Sequence, residues 1–295
     1  MAITASMIKE LRERTGAGIM DCKKVLTQTG GDIDSAIEEL RKKGSAAAEK
    51  KAGRIAAEGV IVSARSDDAG VLVEVNCETD FVVKNESFIA FADNVANVIL
   101  AGSPTDISSV SDLLLGESNA GEGDTVESTR QELIAKIGEN ISVRRFTLLN
   151  SGGGSVSTYL HGARIGVMVK LRGGDNQLGR DLAMHIAATS PLCITEQDMS
   201  EEVLAKEKAI FLAQAQESGK PAEIAEKMVV GRMKKFLKEN TLLGQPFVKN
   251  TEQSVAELLA AAGATVEQMV RFEVGEGLEK RSDDFVAEVM AQAGG

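Results

Sequence analysis

A short apolar run that ends in a polar turn is the feature that most constrains the fold. Residues 71–75 read Val-Leu-Val-Glu-Val, which predicts a mostly buried strand. Thr79 and Asp80 follow as predicted helix N-caps, because a short side-chain oxygen can accept a hydrogen bond from the first helical turn. Apolar residues then recur at three- and four-residue steps, at Phe88, Phe91, Ala92 and Val95. This spacing predicts a helix, so the segment reads strand, turn, helix.

Phe81 lies at the predicted turn, and two interpretations of its ring stay open. The ring can act as a hydrophobic staple that fixes the entry of the chain into the helix. Alternatively, it can stand in solvent as an anchor for a pocket of another protein, because aromatic side chains dominate binding hot spots. Composition does not choose between the two.

Charge and aromatic content argue against nucleic acid as a direct ligand. The chain has a net charge of −11 and a sequence pI near 4.9, whereas affinity for phosphates comes from clustered Lys and Arg. Aromatic residues make up 3% of the chain, with no Trp and one Tyr, which leaves few side chains to stack on bases. The charge is uneven, since residues 1–54 carry a net +3 and the remainder a net −14. That difference predicts a boundary near Arg54.

Length and cysteine content indicate the broad class of protein. With 295 residues and 43% hydrophobic composition, the chain can bury a core and is expected to form two or three domains. Cys22, Cys77 and Cys193 are odd in number and lack any CxxC pairing, so neither a disulfide framework nor a zinc cluster is predicted. No apolar run approaches the ~18 residues of a membrane span, and the N-terminus lacks a signal-peptide layout. A soluble, cytoplasmic protein is expected.

The first 45 residues predict a module of three short helices. The helices are expected over residues 4–14, over residues 19–27 and from Asp32 onward. Ile19 and Met20 begin the second helix, where two bulky apolar side chains belong either to the core, which is the default, or to an exposed docking edge. Residues 45–54, rich in Ala and Lys, predict a helical or extended linker.

A pattern of two strands and a helix occurs twice in the middle of the chain. Its members are residues 59–63, 71–75 and 87–100 in the first copy, and residues 155–161, 165–171 and about 179–190 in the second. Two hairpin-plus-helix units predict duplicated α+β subdomains. Residues 103–128, between them, are rich in Ser, Gly, Asp and Glu and show little periodicity.

The last third of the chain begins with a predicted helical hairpin over about residues 195–240. A break at residues 218–221 separates its two helices, and Pro221 can open the second one. Its apolar positions are too few for an isolated structure, so dimerisation or docking is expected. A strand over residues 270–275 and a short amphipathic helix within residues 280–295 complete the chain.

Side-chain catalysis finds little support in the sequence. His161 and His185 are the two histidines, and the pattern around His185 predicts a packed helix residue. His161 ends a predicted strand before Gly162, a place suited to a surface contact. No GxSxG, HExxH, Walker or Rossmann pattern is present. We therefore expect no enzyme with covalent or metal chemistry of its own, and no cofactor.

Six motifs distributed along the whole chain resemble the elongation factor Ts family, in family order. They are residues 79–82 (Thr-Asp-Phe-Val), residues 11–23, residues 137–141, residues 161–167, residues 226–228 with Gly231 and Arg232, and residues 244–248. The resemblance identifies the chain as a member of the family that exchanges the nucleotide of the GTPase elongation factor Tu.

The resemblance implies an α+β architecture in four parts. Residues 1–54 would form a three-helix module of ubiquitin-associated type with its linker. Residues 55–150 and 151–279 would form two repeated α+β core subdomains, the second carrying the helical hairpin at about 195–240. Residues 280–295 would form a C-terminal helix module. The acidic stretch at about 104–127 is longer than the family leads us to expect.

The resemblance also implies a function and a set of site residues. The chain would bind elongation factor Tu in its GDP-bound and nucleotide-free forms, disturb the Mg²⁺ and phosphate site and promote release of GDP. The implied wedge consists of Thr79, Asp80, Phe81 and Val82. The implied further partner contacts are Ile19, Met20, Ile137, Gly138 and His161. A homodimer or a 2:2 complex is compatible with this assignment.

One alternative comes from a different class of protein. The basic helical module could belong to a ribosome- or RNA-associated scaffold that binds phosphate. Such a scaffold would bind RNA in a salt-dependent way through Lys23, Lys24, Lys42 and Lys43. The net −14 charge of the remaining chain counts against it.

Overall fold

The computed structural model describes residues 3–115, 124–217 and 221–279. Within these residues the fold mixes helices with small sheets, which confirms the predicted α+β class. The predicted helix within residues 280–295, the break at residues 218–220 and part of the acidic stretch, residues 116–123, lie outside the described residues.

The described helices and strands follow one another in short groups along the chain. The helices are α1 (Ala5–Thr15), α2 (Ile19–Gln28), α3 (Ile33–Lys51), α4 (Glu86–Gly102), α5 (Ile107–Val110), α6 (Val126–Ile137), α7 (Asn176–Thr189), α8 (Glu201–Glu217), α9 (Ala222–Asn240) and α10 (Val255–Ala261). The strands are β1 (Glu58–Arg65), β2 (Ala69–Cys77), β3 (Ile141–Asn150), β4 (Ser155–His161), β5 (Ile165–Arg172), β6 (Pro246–Phe247), β7 (Asn250–Ser254) and β8 (Thr265–Glu273). Two short 3₁₀ helices cover Val82–Lys84 and Glu196–Asp198.

The chain divides into two compact units. The first, the N-terminal unit, comprises the described parts of Met1–Ala64, Val73–Phe146 and Glu273–Gly295. The second, the C-terminal unit, comprises Arg65–Leu72 and the described parts of Thr147–Phe272. Each unit is therefore assembled from separate stretches of the chain. The domain boundaries inferred from the sequence stay a prediction.

Three helices form at the start of the N-terminal unit where the sequence predicts them. Thr4 caps α1 by accepting a hydrogen bond from the Met7 N–H, and Asp32 caps α3 by accepting one from Ser35. The shared core consists of Leu11, Cys22, Val25, Leu26 and Ala36. Of the two alternatives for the linker, the helical one holds as far as Lys51, because α3 continues to that residue.

A buried ion-pair network fixes the strands of the N-terminal unit. Glu74, on β2, is fully buried, yet its carboxylate accepts hydrogen bonds from Arg144 and Arg145 on β3 and from the Gly275 N–H at 2.8 Å. Burial alone raises the pKa of Glu74, but the Gly275 N–H and the two guanidiniums outweigh it and hold that pKa below its ordinary value. Removing one member of such a pair leaves a buried charge unbalanced and costs about 3–5 kcal/mol.

The C-terminal unit contains a sheet in the order β4–β5–β8. β4 and β5 pair antiparallel from Ser155 opposite Leu171 to His161 opposite Ile165, which confirms the predicted hairpin. α7 packs on this hairpin so closely that a Cβ at Gly179 would overlap the Ser157 side chain. Only glycine fits at that position.

His185 joins α7 to the residues on either side of β6. It is fully buried, as predicted for a packed helix histidine. Its Nδ1 accepts a hydrogen bond from the Val248 N–H at 3.2 Å, so its Nε2 carries the hydrogen and donates to Gln245 Oε1 at 2.9 Å. Gln245 in turn donates to the Glu239 carbonyl at 2.8 Å. The neutral imidazole is thus the form that this network accepts.

The predicted helical hairpin is present as α8 and α9. Its contact surface is small, with Ala215, Ala225 and Val229 buried and Phe211 packed beside them. The Phe211 and Phe236 rings meet edge to face, with centroids 6.5 Å apart. Other apolar positions, Ile210 and Ile224 among them, stay exposed. In the described part of the chain, no helix combines the length and apolar character needed to cross a membrane.

A substitution of His185 tests whether this buried network makes stability depend on pH. Burial lowers the pKa of His185 below its ordinary value of 6.5, and the hydrogen bond to Gln245 only partly offsets this. Below pH 6.5, His185 is therefore protonated in the unfolded chain but neutral in the folded protein. The contribution of His185 to the free energy of unfolding is constant above pH 6.5. It falls as the pH drops below 6.5, by at most about 1.4 kcal/mol per pH unit.

The comparison uses urea unfolding between about pH 7 and 5. His185→Gln should flatten the pH dependence relative to the wild type. Equal slopes for the variant and the wild type would contradict this assignment.

Candidate functional site

The turn after β2 is built around residues 78–81, named here the Phe81 turn. β2 ends at Cys77, the 3₁₀ helix Val82–Lys84 follows the turn, and α4 begins only at Glu86. Asn85 caps α4, since its side-chain oxygen accepts hydrogen bonds from the Ser87 and Phe88 N–H groups. The prediction of Thr79 and Asp80 as helix N-caps is therefore wrong. The Thr79 side chain is placed by another element.

That element is the segment of residues 137–140 between α6 and β3, named here the Gly138 segment. The Glu139 carboxylate accepts three hydrogen bonds from the Phe81 turn. The donors are the Glu78 N–H at 3.1 Å, the Thr79 N–H at 2.9 Å and the Thr79 hydroxyl at 2.6 Å. Both carboxylate oxygens are used, so the bonds fix the direction as well as the distance of the turn.

Hydrogen bonds also run in the opposite direction, from the Gly138 segment to the turn. The Glu78 carboxylate accepts from the Asn140 N–H at 2.6 Å and from Arg54 at 3.4 Å. The Asn140 side chain donates to the Arg54 carbonyl at 2.8 Å. Residues 78–79 and 139–140 thus bind each other reciprocally, with the end of the linker after α3 as a third member.

Cys77 supports the turn from inside the unit. It is fully buried, and its thiol donates to the Thr79 carbonyl at 3.2 Å. Burial, with smaller contributions from Glu139 and Glu58, raises the pKa of Cys77 to about 12. The thiol therefore stays protonated at neutral pH and keeps its hydrogen for this bond.

Phe81 stands in solvent at the tip of the turn, with 82% of its surface exposed. The staple interpretation is wrong, because a staple ring would pack against the helix that it precedes. The next residue, Val82, is buried, whereas the preceding Asp80 is exposed. The turn thus presents an aromatic ring and a carboxylate side by side while Val82 holds it to the unit.

The residues Ile137 and Gly138 end α6 beside this turn. Gly138 has a φ of +91°, which glycine adopts without strain, and its N–H bonds to the Ile134 carbonyl. Ile137 is half-buried and Gly138 is exposed. The structure brings residues 78–79 and 139–140 together, next in sequence to the predicted site residues 80–82 and 137–138.

Ile19 and Met20 are exposed at the start of α2, by 55% and 75% respectively. The default expectation that they belong to the core is wrong, because Cys22, Val25 and Leu26 supply the buried face of that helix. Gly18 precedes them without a side-chain cap. The two side chains form an exposed edge, and its use for docking stays a prediction.

His161 belongs to the C-terminal unit. It ends β4 with its side chain exposed, and the Tyr159 hydroxyl lies 3.3 Å from its Nδ1. Leu160 beside it is 37% exposed. The side chain is therefore accessible, and a surface contact at His161 stays a prediction.

The geometry of the N-terminal unit suits binding of another protein. Exposed large apolar side chains on a hydrogen-bonded support are typical anchors of protein interfaces. Among the described residues, no group of three or more His, Cys, Asp or Glu side chains is arranged to hold a metal ion. Glu139 is the site residue to which sequence reasoning gave no role, although it lies in one of the motifs.

Comparison with known proteins gives consistent matches. The family model described as Elongation factor TS matches residues 78–276. A protein named Elongation factor Ts from Methylococcus capsulatus is 60% identical over 99% of both chains. Proteins of the same name from Alkalilimnicola ehrlichii and Thioalkalivibrio sulfidiphilus are each 58% identical over the full length of both chains.

Two phenylalanines near the turn allow a direct test of the exposed placement of Phe81. Phe81→Ala should change the free energy of unfolding by no more than about 0.5 kcal/mol, because the ring has almost no contacts to lose. Phe88→Ala removes a fully buried ring and should cost about 3–5 kcal/mol. Urea unfolding of both variants makes the comparison. A cooperative loss of the fold in Phe81→Ala would restore the staple interpretation.

Proposed function

The chain belongs to the elongation factor Ts family of translation elongation factors, and on that premise we propose that it is the nucleotide exchange factor of elongation factor Tu. It binds the GDP-bound GTPase, disturbs the Mg²⁺ and phosphate site and promotes release of GDP so that GTP can bind. The observation that carries the proposal is the exposed Phe81 ring, held at the tip of a turn by hydrogen bonds.

Phe81 acts as a wedge in this proposal. A ring that is 82% exposed in the free protein has its apolar surface available for a pocket beside the nucleotide. Filling that pocket shifts a loop or peptide of the partner. Since only a small part of the residue is buried in its own unit, most of the gain in burial is realised in the complex.

Asp80 supplies the electrostatic contribution to GDP release in this proposal. Its exposed carboxylate is next to the wedge and reaches the same region of the partner. A negative charge there competes for Mg²⁺ or opposes the phosphates that Mg²⁺ otherwise screens. Magnesium then loses coordination, and GDP leaves faster.

Exchange by this route is thermodynamic coupling and involves no covalent step. A factor that binds the nucleotide-free GTPase better than the GDP-bound form must lower the affinity of the GTPase for GDP by the same ratio. The chain itself needs no cofactor in this scheme. Its role is to bind one state of the partner selectively.

Further contacts with the partner are assigned to Ile19, Met20, Ile137, Gly138 and His161. Ile19 and Met20 form the exposed edge of α2, and Gly138 lies in the segment that is bonded to the Phe81 turn. Thr79 and Val82 complete the wedge as its inner supports. A homodimer or a 2:2 complex with elongation factor Tu is part of the proposal.

The architecture inferred from the family is proposed in the same terms. Residues 1–54 form the ubiquitin-associated-like module with its linker. Residues 55–150 and 151–279 form the repeated core subdomains, with the helical hairpin at about 195–240 in the second. Residues 280–295 form the C-terminal helix module.

Release of a fluorescent GDP analogue from elongation factor Tu tests the function. The wild type should accelerate release in the presence of excess unlabelled GDP. Phe81→Ala should lower this acceleration by roughly 30-fold, the factor that corresponds to an anchor worth about 2 kcal/mol. Leu114→Ala is the matched control, since Leu114 is also a large apolar residue, 60% exposed, and should leave the rate unchanged.

A wild-type protein that fails to accelerate release would remove the exchange assignment. The RNA-associated scaffold would then be the hypothesis to test, by measuring the salt dependence of RNA binding with and without Lys23, Lys24, Lys42 and Lys43.

A second variant tests the role of Asp80. Asp80→Asn keeps the size of the side chain and removes its charge. If the carboxylate acts on Mg²⁺, the variant should lose most acceleration at saturating Mg²⁺ and much less when Mg²⁺ is chelated. The measurement is the same release assay at both Mg²⁺ levels. An equal loss in the two conditions would assign Asp80 a simple contact role.

A further inference from the structure

We propose that Glu139 is a positioning residue that locks the Phe81 turn to the Gly138 segment, so that both meet the partner protein as one rigid element. The proposal rests on the function proposed above for the turn. It adds a residue that touches neither the nucleotide nor, in our assignment, the partner. Its role is to hold the residues that do.

The hydrogen bonds of Glu139 are concentrated on the turn. One carboxylate binds two consecutive backbone N–H groups and a hydroxyl, at 3.1, 2.9 and 2.6 Å. Hydrogen bonds to a charged acceptor are stronger than neutral ones. Glu139 lies two residues after the end of α6, directly after the C-cap Gly138.

The return bonds from Glu78 make the link two-sided. Glu78 accepts from the Asn140 N–H at 2.6 Å, while Glu139 accepts from the Glu78 N–H. Neighbouring residues on each segment therefore act as donor and acceptor at once. A rotation of one segment against the other breaks bonds in both directions.

Glu139 is the acceptor that the structure gives to the Glu78 and Thr79 amides, while the Lys84 N–H donates to the Phe81 carbonyl at 3.3 Å on the far side of the tip. The Phe81 ring is exposed and cannot orient itself by packing. Val82 and Cys77 anchor the two ends of the turn, but Thr79, between them, is bonded to Glu139. A binding loop that is ordered before binding pays less conformational entropy in the complex. The hydrogen bonds between Glu139 and the turn therefore contribute to nucleotide exchange, although Glu139 does not contact the partner.

A set of variants separates this role from the loss of a charge. Glu139→Ala removes all three acceptor bonds, and Thr79→Val removes only the hydroxyl donor at nearly constant shape. Glu86→Gln removes an exposed carboxylate near the turn, at the first residue of α4, and serves as the control for charge. Thermal unfolding of each variant verifies that it folds.

Two measurements on Glu139→Ala give the decisive results. Hydrogen exchange should show faster exchange of the Glu78 and Thr79 amides in the free protein, because these two N–H groups lose their acceptor. Acceleration of GDP release should fall by about tenfold or more, the loss expected for charged hydrogen bonds. Thr79→Val should show a smaller loss in the release assay, and Glu86→Gln none.

A double-mutant cycle with Phe81→Ala decides how Glu139 acts. A positioning residue works through the ring, so Phe81→Ala should reduce release much less in the Glu139→Ala background than in the wild type. If the fold-losses in acceleration caused by the two single substitutions simply multiply in the double mutant, the positioning role is overturned. Unchanged amide exchange at residues 78 and 79 would also overturn it, whatever the release assay gives. Lack of acceleration by the wild type would instead overturn the proposed function and, with it, this extension.

Discussion

The buried carboxylate of Glu74 carries the constraint on which the N-terminal unit depends. It joins β2 to Arg144 and Arg145 of β3, and through the Gly275 N–H to the chain after β8. Arg144 and Arg145 also donate to the carbonyls of Glu276 and Glu273. A charge removed from water is stable only with such complete pairing. The network therefore specifies one register for these strands, and the alternatives would leave a buried ion without partners.

This register places the two segments of the candidate site. Glu74 lies three residues before the end of β2, after which the Phe81 turn begins. Arg144 lies three residues after the start of β3, which the Gly138 segment precedes. Fixing the two strands at this point brings residues 78–79 and 139–140 within hydrogen-bond distance. The buried ion pair thus fixes the two strands, and the hydrogen bonds between residues 78–79 and 139–140 then fix the segments that extend from them.

The sequence predicted elements whose apolar pattern is local. β2 follows from its run of apolar residues, α4 from its three- and four-residue spacing, and the β4–β5 hairpin from its two strands and glycine turn. β3 was not predicted, because its central Arg144 and Arg145 resemble surface residues until Glu74 is known to face them. Thr79 was misassigned as a cap for the same reason. Its hydrogen-bond partner, Glu139, is sixty residues away.

The exposure of the site residues was the least predictable property, and it has a physical cause. An apolar ring on a free loop tends to collapse onto nearby apolar surface, which is why a buried staple was a reasonable alternative for Phe81. In the folded unit, the neighbouring apolar side chains Val82 and Phe88 are the ones that are buried. The amides of residues 78 and 79 are bonded outward to Glu139. With the interior occupied and the backbone held, the ring has no internal position to take, and its exposure is a consequence of how the turn is bonded.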